Sequence, residues 1–179
     1  MLKKETEANL KKELLKLLGK DRNILSLPKL NKVVLNYRVV NAKESKETLD
    51  SAIEEITAIT GQKPSLCRAK KAEAGFKIRQ GDPLALKVTL RGQRMYDFIN
   101  KLFNIILPRL RDFKGMPLTA FDSAGNYNLT IKDQTVFPEI NLDKVNTIRP
   151  LQITLNINSS SKEDSKMLLS ALGFSFEKK

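Results

Sequence analysis

Leu84-Ala85-Leu86-Lys87-Val88-Thr89-Leu90-Arg91 is the stretch on which the fold turns. Leu84, Leu86, Val88 and Leu90 recur at every second position, with Ala85, Lys87, Thr89 and Arg91 between them. Successive side chains of a strand point to opposite faces, so this run is a strand with one apolar and one polar face. The same alternation recurs on both sides of it. Lys32 to Arg38 sets Val33, Leu35 and Tyr37 against Lys32, Val34, Asn36 and Arg38, and Tyr127 to Lys132 sets Leu129 and Ile131 against Asn128, Thr130 and Lys132. Leu151 to Asn158 sets Leu151, Ile153, Leu155 and Ile157 against Gln152, Thr154, Asn156 and Asn158. Gln62 to Arg68 reads as a further short strand.

Between the strands the apolar period becomes helical. Glu5 to Leu18 places Leu10, Leu14, Leu17 and Leu18 among lysines, with Gly19 to end the turn, which predicts an N-terminal amphipathic helix within residues 1–20. Ser45 to Thr60 carries a stripe of Leu49, Ile53, Ile56 and Ile59 before Gly61. Gln93 to Ile106 has a broad apolar face of Met95, Phe98, Ile99, Leu102, Phe103 and Ile106, with Pro108 limiting its extension. A last helix, capped by Ser160 or Ser161, turns Met167, Leu168, Ala171 and Leu172 inward before Gly173.

One-faced strands and amphipathic helices together imply an α+β fold. The expected architecture is a mostly antiparallel sheet with helices packed on one face and an open polar, basic face. Ala69 to Pro83, which holds Lys70, Lys71, Lys77, Arg79, Gly75 and Gly81, is expected to be a projecting basic loop, residues 69–83, mobile when free. The length of 179 residues and 41% hydrophobic content suit one domain over residues 1–179.

The formal net charge of +12 favours anionic partners. No apolar run approaches the ~18 residues that span a bilayer, so no membrane partner is expected. Met1 to Gly19 lacks the apolar block of a signal peptide, and Glu5, Glu7 and Glu13 do not suit a mitochondrial presequence. One cysteine, Cys67, and no histidine exclude an internal disulfide, the usual Cys/His zinc sites, and every Ser-His or Cys-His nucleophile pair. A reducing compartment fits, and no metal or other cofactor is expected. Gly75 and Gly81 are too far apart for a dinucleotide fingerprint, and there is no Walker-type run. Asp112, Asp122, Asp133, Glu139 and Asp143 are scattered acids without catalytic spacing, so no catalytic residue is assigned. Asn128-Leu129-Thr130 matches a glycosylation acceptor, which an unsecreted chain does not use.

The outward set, including Lys32, Asn36, Arg38, Lys87, Thr89, Arg91, Asn128, Thr130, Thr154 and Asn156, mixes cations with amides and hydroxyls and has no aromatic residue. Cations suit phosphates, while amides and hydroxyls suit ribose 2′-hydroxyls and base edges, so the face suits folded RNA. Single-strand binders display aromatic rings for stacking, and these positions have none.

Several strings then stand out in order: Thr60-Gly61-Gln62-Lys63-Pro64, Arg68-Ala69-Lys70-Lys71, Gly75-Phe76-Lys77-Ile78-Arg79-Gln80-Gly81, Lys87-Val88-Thr89-Leu90-Arg91, Pro108-Arg109-Leu110-Arg111-Asp112-Phe113 with Gly115, Gly125-Asn126-Tyr127, and Phe137-Pro138-Glu139-Ile140. Together they resemble the bacterial-type large-subunit ribosomal protein five, the 5S RNA binder of the central protuberance, from about Leu27 to the C-terminus. The resemblance implies 5S RNA bound through the sheet and adjacent loops, with Lys29, Asn36, Gln62, Lys63, Thr89 and Arg91 as contacts beside Lys87 of the basic face. It puts Gly75, Phe76, Lys77, Ile78 and Arg79 at the tip of a loop that reaches P-site tRNA, with Lys70 and Lys71 in the same loop. It further implies 23S-type RNA, neighbouring large-subunit proteins and a small-subunit head protein across an intersubunit bridge as partners. The location implied is a bacterial cytoplasm or an organelle interior.

This chain departs from the family pattern at Tyr37-Arg38-Val39-Val40-Asn41, where a glycine-bearing turn is usual, at Ser123-Ala124, where Gly-Arg is common, and at Pro150 in place of a glycine. Two other readings compete with this one. A free-standing RNA-binding regulator or chaperone would use the same face, but the strings in the loop argue against it, and an RNA-processing enzyme would need clustered acids or a nucleophile with its base, which no spacing in this chain supplies.

Overall fold

In the computed structural model the described residues are 2–18, 23–39, 46–110, 113, 115–142, 145 and 147–177, with backbone alone for 2–9. Five strands, β1 (Lys29–Arg38), β2 (Ser65–Arg68), β3 (Pro83–Leu90), β4 (Tyr127–Ile131) and β5 (Leu151–Asn158), form one antiparallel sheet in the order β2-β3-β1-β5-β4. The helices are α1 (Leu2–Leu18), α2 (Lys46–Thr60), α3 (Gly92–Lys101), a one-turn α4 (Leu107–Arg109) and α5 (Lys162–Ala171). The α+β class read from the alternation is the class observed. By contact density the chain divides into two compact units. One comprises residues 1–33, 90–129 and 154–179, the other residues 34–89 and 130–153.

In the first unit α1 packs on α5 and α3, burying Leu14. Leu17 is exposed rather than inward, and the stop assigned to Gly19 lies outside the described residues. In α5, Ser161 is the cap: its hydroxyl accepts the Asp164 N–H at 3.1 Å. The buried face of α5 is Leu168 and Leu169 with Asp164 and Ser165, while Met167 is exposed and Ala171 and Leu172 are half-buried. The apolar stripe is therefore rotated by one residue from the expected one. The α3 helix does not stop at Ile106. It widens into a π-helical turn, Leu102–Ile106, closed by the Leu107 N–H on the Leu102 carbonyl, and continues as α4 through Pro108. Pro108 has no N–H to donate to the preceding turn, and the wider turn accommodates that loss. Phe103, Phe174, Phe176, Tyr127 and Phe121 stack edge to face, with centroids 4.7 Å apart for Phe103–Phe174 and 4.8 Å for Phe121–Tyr127.

The second unit holds a buried polar cluster. Glu55 on α2 takes a hydrogen bond from the Tyr37 hydroxyl on β1 and pairs with Arg149 at 2.8 Å. Arg149 is only 4% exposed, and its backbone N–H donates to Gln134 Oε1 at 2.6 Å. Gln134 Nε2 donates in turn to the Thr147 carbonyl at 2.7 Å. Burial, and then the neighbouring Glu55 carboxylate, push the Tyr37 phenol well above its ordinary value, so it stays a donor. On α2 the buried residues are Ala52, Ile56, Ile59 and Thr60, with Leu49 and Ile53 half-buried. The expected Gln62–Arg68 strand is shorter, Ser65–Arg68, because Thr60 and Gln62 are engaged in ending the helix.

Removing one partner of a buried pair strands the other charge without solvent. Arg149→Ala is expected to lower the unfolding free energy by about 3–5 kcal/mol, read as a lower urea midpoint. An unchanged midpoint would mean that water reaches Glu55 freely.

Candidate nucleic-acid interface

The outward side chains of the strands follow directly from the buried ones. On β3, Leu86, Val88 and Leu90 are buried, leaving Lys87 exposed and Thr89 half-buried between them. β2 pairs antiparallel with β3, with Ser65 opposite Lys87, Leu66 opposite Leu86 and Cys67 opposite Ala85. That register keeps Lys87 beside a small hydroxyl and puts Leu66 with the core.

In the unit of residues 34–89 and 130–153, this places five of the expected RNA-binding residues. Asn36 and Gln62 are half-buried, Lys63 and Lys87 are exposed, and Gln62 Nε2 donates to the Thr89 carbonyl at 3.4 Å. The Thr60 hydroxyl prepares Gln62 by accepting its backbone N–H at 3.3 Å while donating to the Ile56 carbonyl at 2.7 Å. The Gln62–Thr89 bond joins two of these residues directly.

The 69–83 segment of the same unit carries structure of its own. Ala69 N–H bonds the Asp82 carbonyl and Gly81 N–H bonds the Ala69 carbonyl, both at 2.9 Å. Further out, Glu73 and Ile78 exchange backbone hydrogen bonds of 2.9 and 3.1 Å around the 3-10 turn Ala74–Phe76. Lys77 closes that turn in the left-handed region at φ 53°. Asp82 accepts the Arg79 N–H at 2.8 Å, and Arg68 donates to the Gly81 carbonyl at 3.1 Å. Lys70, Lys71, Gly75, Phe76, Lys77 and Arg79 are exposed and Ile78 is half-buried. Phe76 stands out as an aromatic side chain 77% exposed.

In the unit of residues 1–33, 90–129 and 154–179, Lys29 and Arg91 are exposed, and Arg91 occupies the cap position of α3 in an extended conformation. This unit also holds residues that strand reading alone did not select. β1 begins at Lys29, and its burial changes phase between Leu30 and Val33, which leaves both Asn31 and Lys32 out of the core. Asn31 donates to Asn156 Oδ1 at 3.1 Å, Asn156 donates to Asn126 Oδ1 at 2.8 Å, and Thr154 donates to Asn128 Oδ1 at 2.8 Å. Asn126 is held by Asp122, whose carboxylate accepts the Asn126 and Ala124 N–H groups at 2.8 and 2.9 Å and the Asn126 side chain at 2.8 Å. The turn passes through Gly125 at φ 79°, where a Cβ would sit 2.8 Å from Ser165 Oγ. No sequence signal marked Asn31, since the alternation beginning at Lys32 concealed the phase change.

Arg111 and Lys114, like the acids Asp112 and Asp143, lie outside the described residues. Among the described residues no group of three or more Cys, Asp or Glu side chains is placed to hold a metal ion.

A model of ribosomal protein L5 matches residues 23–79, and a model of the C-terminus of the same ribosomal protein family matches residues 83–176. The chain belongs to the ribosomal protein L5 family. Its relatives include the large ribosomal subunit protein uL5 of Thermoanaerobacter sp. (strain X514), 50% identical over 157 residues, 88% of each chain. The uL5 of Oceanobacillus iheyensis is 48% identical over 156 residues, 87% of each chain. That of Fusobacterium nucleatum is 47% identical over 157 residues, 88% of this chain and 86% of its own. The L5 family consists of structural, non-enzymatic ribosome components, and RNA binding and a part in translation follow from membership.

Burial opposes ionisation of Asp122, yet its hydrogen bonds from Asn126 and Ala124 outweigh that and hold its carboxyl below the ordinary range. A lowered folded value stabilises the fold above the unfolded value of ~3.9, and the gain is lost as acidification passes the lowered value. Asp122→Ala should therefore reduce stability by about 1–2 kcal/mol at neutral pH, with the difference from wild type shrinking in acid melts. A constant difference across pH would assign the effect to packing instead.

Proposed function

We propose that the chain is a structural constituent of the large ribosomal subunit that binds 5S ribosomal RNA and helps to anchor it in the central protuberance. The observation that carries this reading is the chemistry of the outward strand positions. Lys87, Thr89 and Asn36 in one unit, and Lys29, Asn128 and Thr154 in the other, are cations, amides and hydroxyls that the core leaves facing solvent or half-covered. Cations neutralise phosphates, and the neutral groups match ribose hydroxyls and base edges, so the chemistry suits a folded RNA. Gln62 and Lys63 in the unit of Lys87, and Arg91 in the unit of Lys29, also contact the RNA in this reading. Relatives bearing the name large ribosomal subunit protein uL5, alike over nearly nine-tenths of this chain, support a place in that subunit.

In this reading the hydrogen-bonded loop, through Lys70, Lys71 and the tip Gly75-Phe76-Lys77-Ile78-Arg79, contacts P-site tRNA. The chain also meets 23S-type RNA, neighbouring large-subunit proteins and a small-subunit head protein across the intersubunit bridge. Such an assembly works in the bacterial cytoplasm or, for an organelle-encoded chain, in the organelle interior.

The test is a titration of the purified protein with 5S ribosomal RNA at two salt concentrations, with bulk tRNA and single-stranded RNA as competitors. Preference for 5S RNA by orders of magnitude, persisting at the higher salt, is the expected result, whereas equal binding of all three RNAs would reduce the chain to a generic basic binder. Lys87→Ala and Arg91→Ala should each weaken 5S binding and reduce the salt slope by about one. Unchanged affinity and slope in both would remove the sheet face from the contact. Deleting Gly75–Arg79 should leave 5S affinity nearly intact while impairing tRNA-dependent translation, and loss of 5S binding would show the loop to be assigned wrongly.

A further inference from the structure

Three amides in the unit of residues 1–33, 90–129 and 154–179 form a chain whose direction is imposed from one end. A backbone N–H can only donate, so the Asn126 atom that receives the Ile157 N–H at 3.2 Å must be its oxygen. The other Asn126 atom meets Asp122 Oδ2 at 2.8 Å, and an ionised carboxylate only accepts, which makes that atom the nitrogen. Asn156 must then use its nitrogen toward Asn126 Oδ1, at 2.8 Å, and that leaves Asn156 Oδ1 to accept from Asn31 Nδ2, at 3.1 Å. Each amide orients the next. The last of them, Asn31, is exposed, and among the described residues no donor reaches its Oδ1.

We propose that Asn31 is an RNA-reading residue whose Oδ1, oriented as an acceptor by the amide chain, takes a hydrogen bond from a ribose 2′-hydroxyl or an exocyclic base amine. Lys29 and Lys32 lie close by on β1 and attract the RNA backbone. A carbonyl oxygen between them cannot bind a phosphate, which offers only acceptors. It matches the donors that RNA presents, and these are the sugar hydroxyls and the base N–H groups. A free amide could rotate to suit either a donor or an acceptor, whereas the orientation imposed through Asn156 permits discrimination. Thr154 and Asn128 carry no such selectivity, because a hydroxyl donates or accepts and so leaves the Asn128 amide free to turn. The inference rests on the RNA-binding reading above and adds a contact of defined polarity to it.

The test is analogue interference. Transcripts of 5S ribosomal RNA carry, at random positions, phosphorothioate-tagged 2′-deoxynucleotides in one pool. In the other pools they carry inosine, purine riboside or pyrimidin-2-one riboside, which lack the exocyclic amines of G, A and C. Each pool is partitioned by filter binding to the full-length wild type, Asn31→Leu and Asn156→Leu. Asn31→Leu is expected to bind about five- to tenfold more weakly with an unchanged salt slope, since no counterion is involved. At one nucleotide, an analogue that weakens wild-type binding should be silent in Asn31→Leu. Silence in the 2′-deoxy pool identifies the sugar hydroxyl, and silence in an amine-lacking pool identifies the base. Asn156→Leu, which removes the positioning residue and keeps Asn31, should lose the same single interference, where general destabilisation would weaken all positions alike. Identical interference maps in wild type and Asn31→Leu, or unchanged affinity, would overturn the assignment with the 5S reading intact. A wild type that does not prefer 5S RNA over the competitors would overturn the underlying reading and this inference together.

Discussion

Burial of one face of each strand is the constraint from which the rest follows. A strand repeats every two residues, so once Leu86, Val88 and Leu90 are committed to the core, Lys87 and Thr89 have no choice of side. The same holds for Asn36 between Leu35 and Tyr37 on β1, and for Thr154 and Asn156 among the buried residues of β5. A slip of one residue would bury the lysine and expose three apolar side chains. The surface chemistry is therefore not an addition to a finished fold: the energy that sets the register also sets which groups face solvent.

A different rule governs the charges that the sheet does not display. Most cations are solvated and act through the field they add up to, which is long in range and low in selectivity. Arg149 is the opposite case, buried against Glu55 and tied by its backbone to Gln134, so that its charge is cancelled locally. Taking an ion pair out of water is expensive, and the pair is tolerable because Tyr37, Ser51 and Arg149 together satisfy the Glu55 oxygens. What such a cluster contributes is position, since it links α2, β1 and the segment before β5 at a single point.

The parts of the fold legible in the sequence are those governed by neighbours along the chain. β5 has the bounds its alternation predicts, and β3 and β4 agree to within a residue, because strict apolar spacing leaves one solution. Helix positions were readable as well, though the buried stripe of α5 was misjudged by one residue: Leu169 rather than Met167 faces inward, a choice made by what packs against the helix. The π-helical turn before Pro108, the buried Arg149 and the Phe103–Phe174 contact depend on partners far away in sequence. No local period encodes them. For the candidate site, the exposed cations were legible, whereas the Asn31 connection was not, since it needs a phase change in β1 and residues about 30 and 125 positions distant.

In the proposed RNA contact, cations and amides divide the work of recognition according to range. A lysine draws any phosphate toward the sheet and reports little about sequence or sugar, and its effect fades as salt rises. An amide acts only at contact and carries a sign, donor or acceptor, but that sign has value only if the group cannot rotate. In this chain the rotation is stopped by two groups with no alternative role, the Ile157 N–H and the Asp122 carboxylate, and the restriction is passed through Asn126 and Asn156 to the exposed Asn31. The surface thus inherits a fixed hydrogen-bonding sense from the backbone of its own sheet. A basic protein in a crowded RNA environment needs such a feature more than it needs further charge, because charge raises affinity for every RNA at once and leaves the ratio between them unchanged.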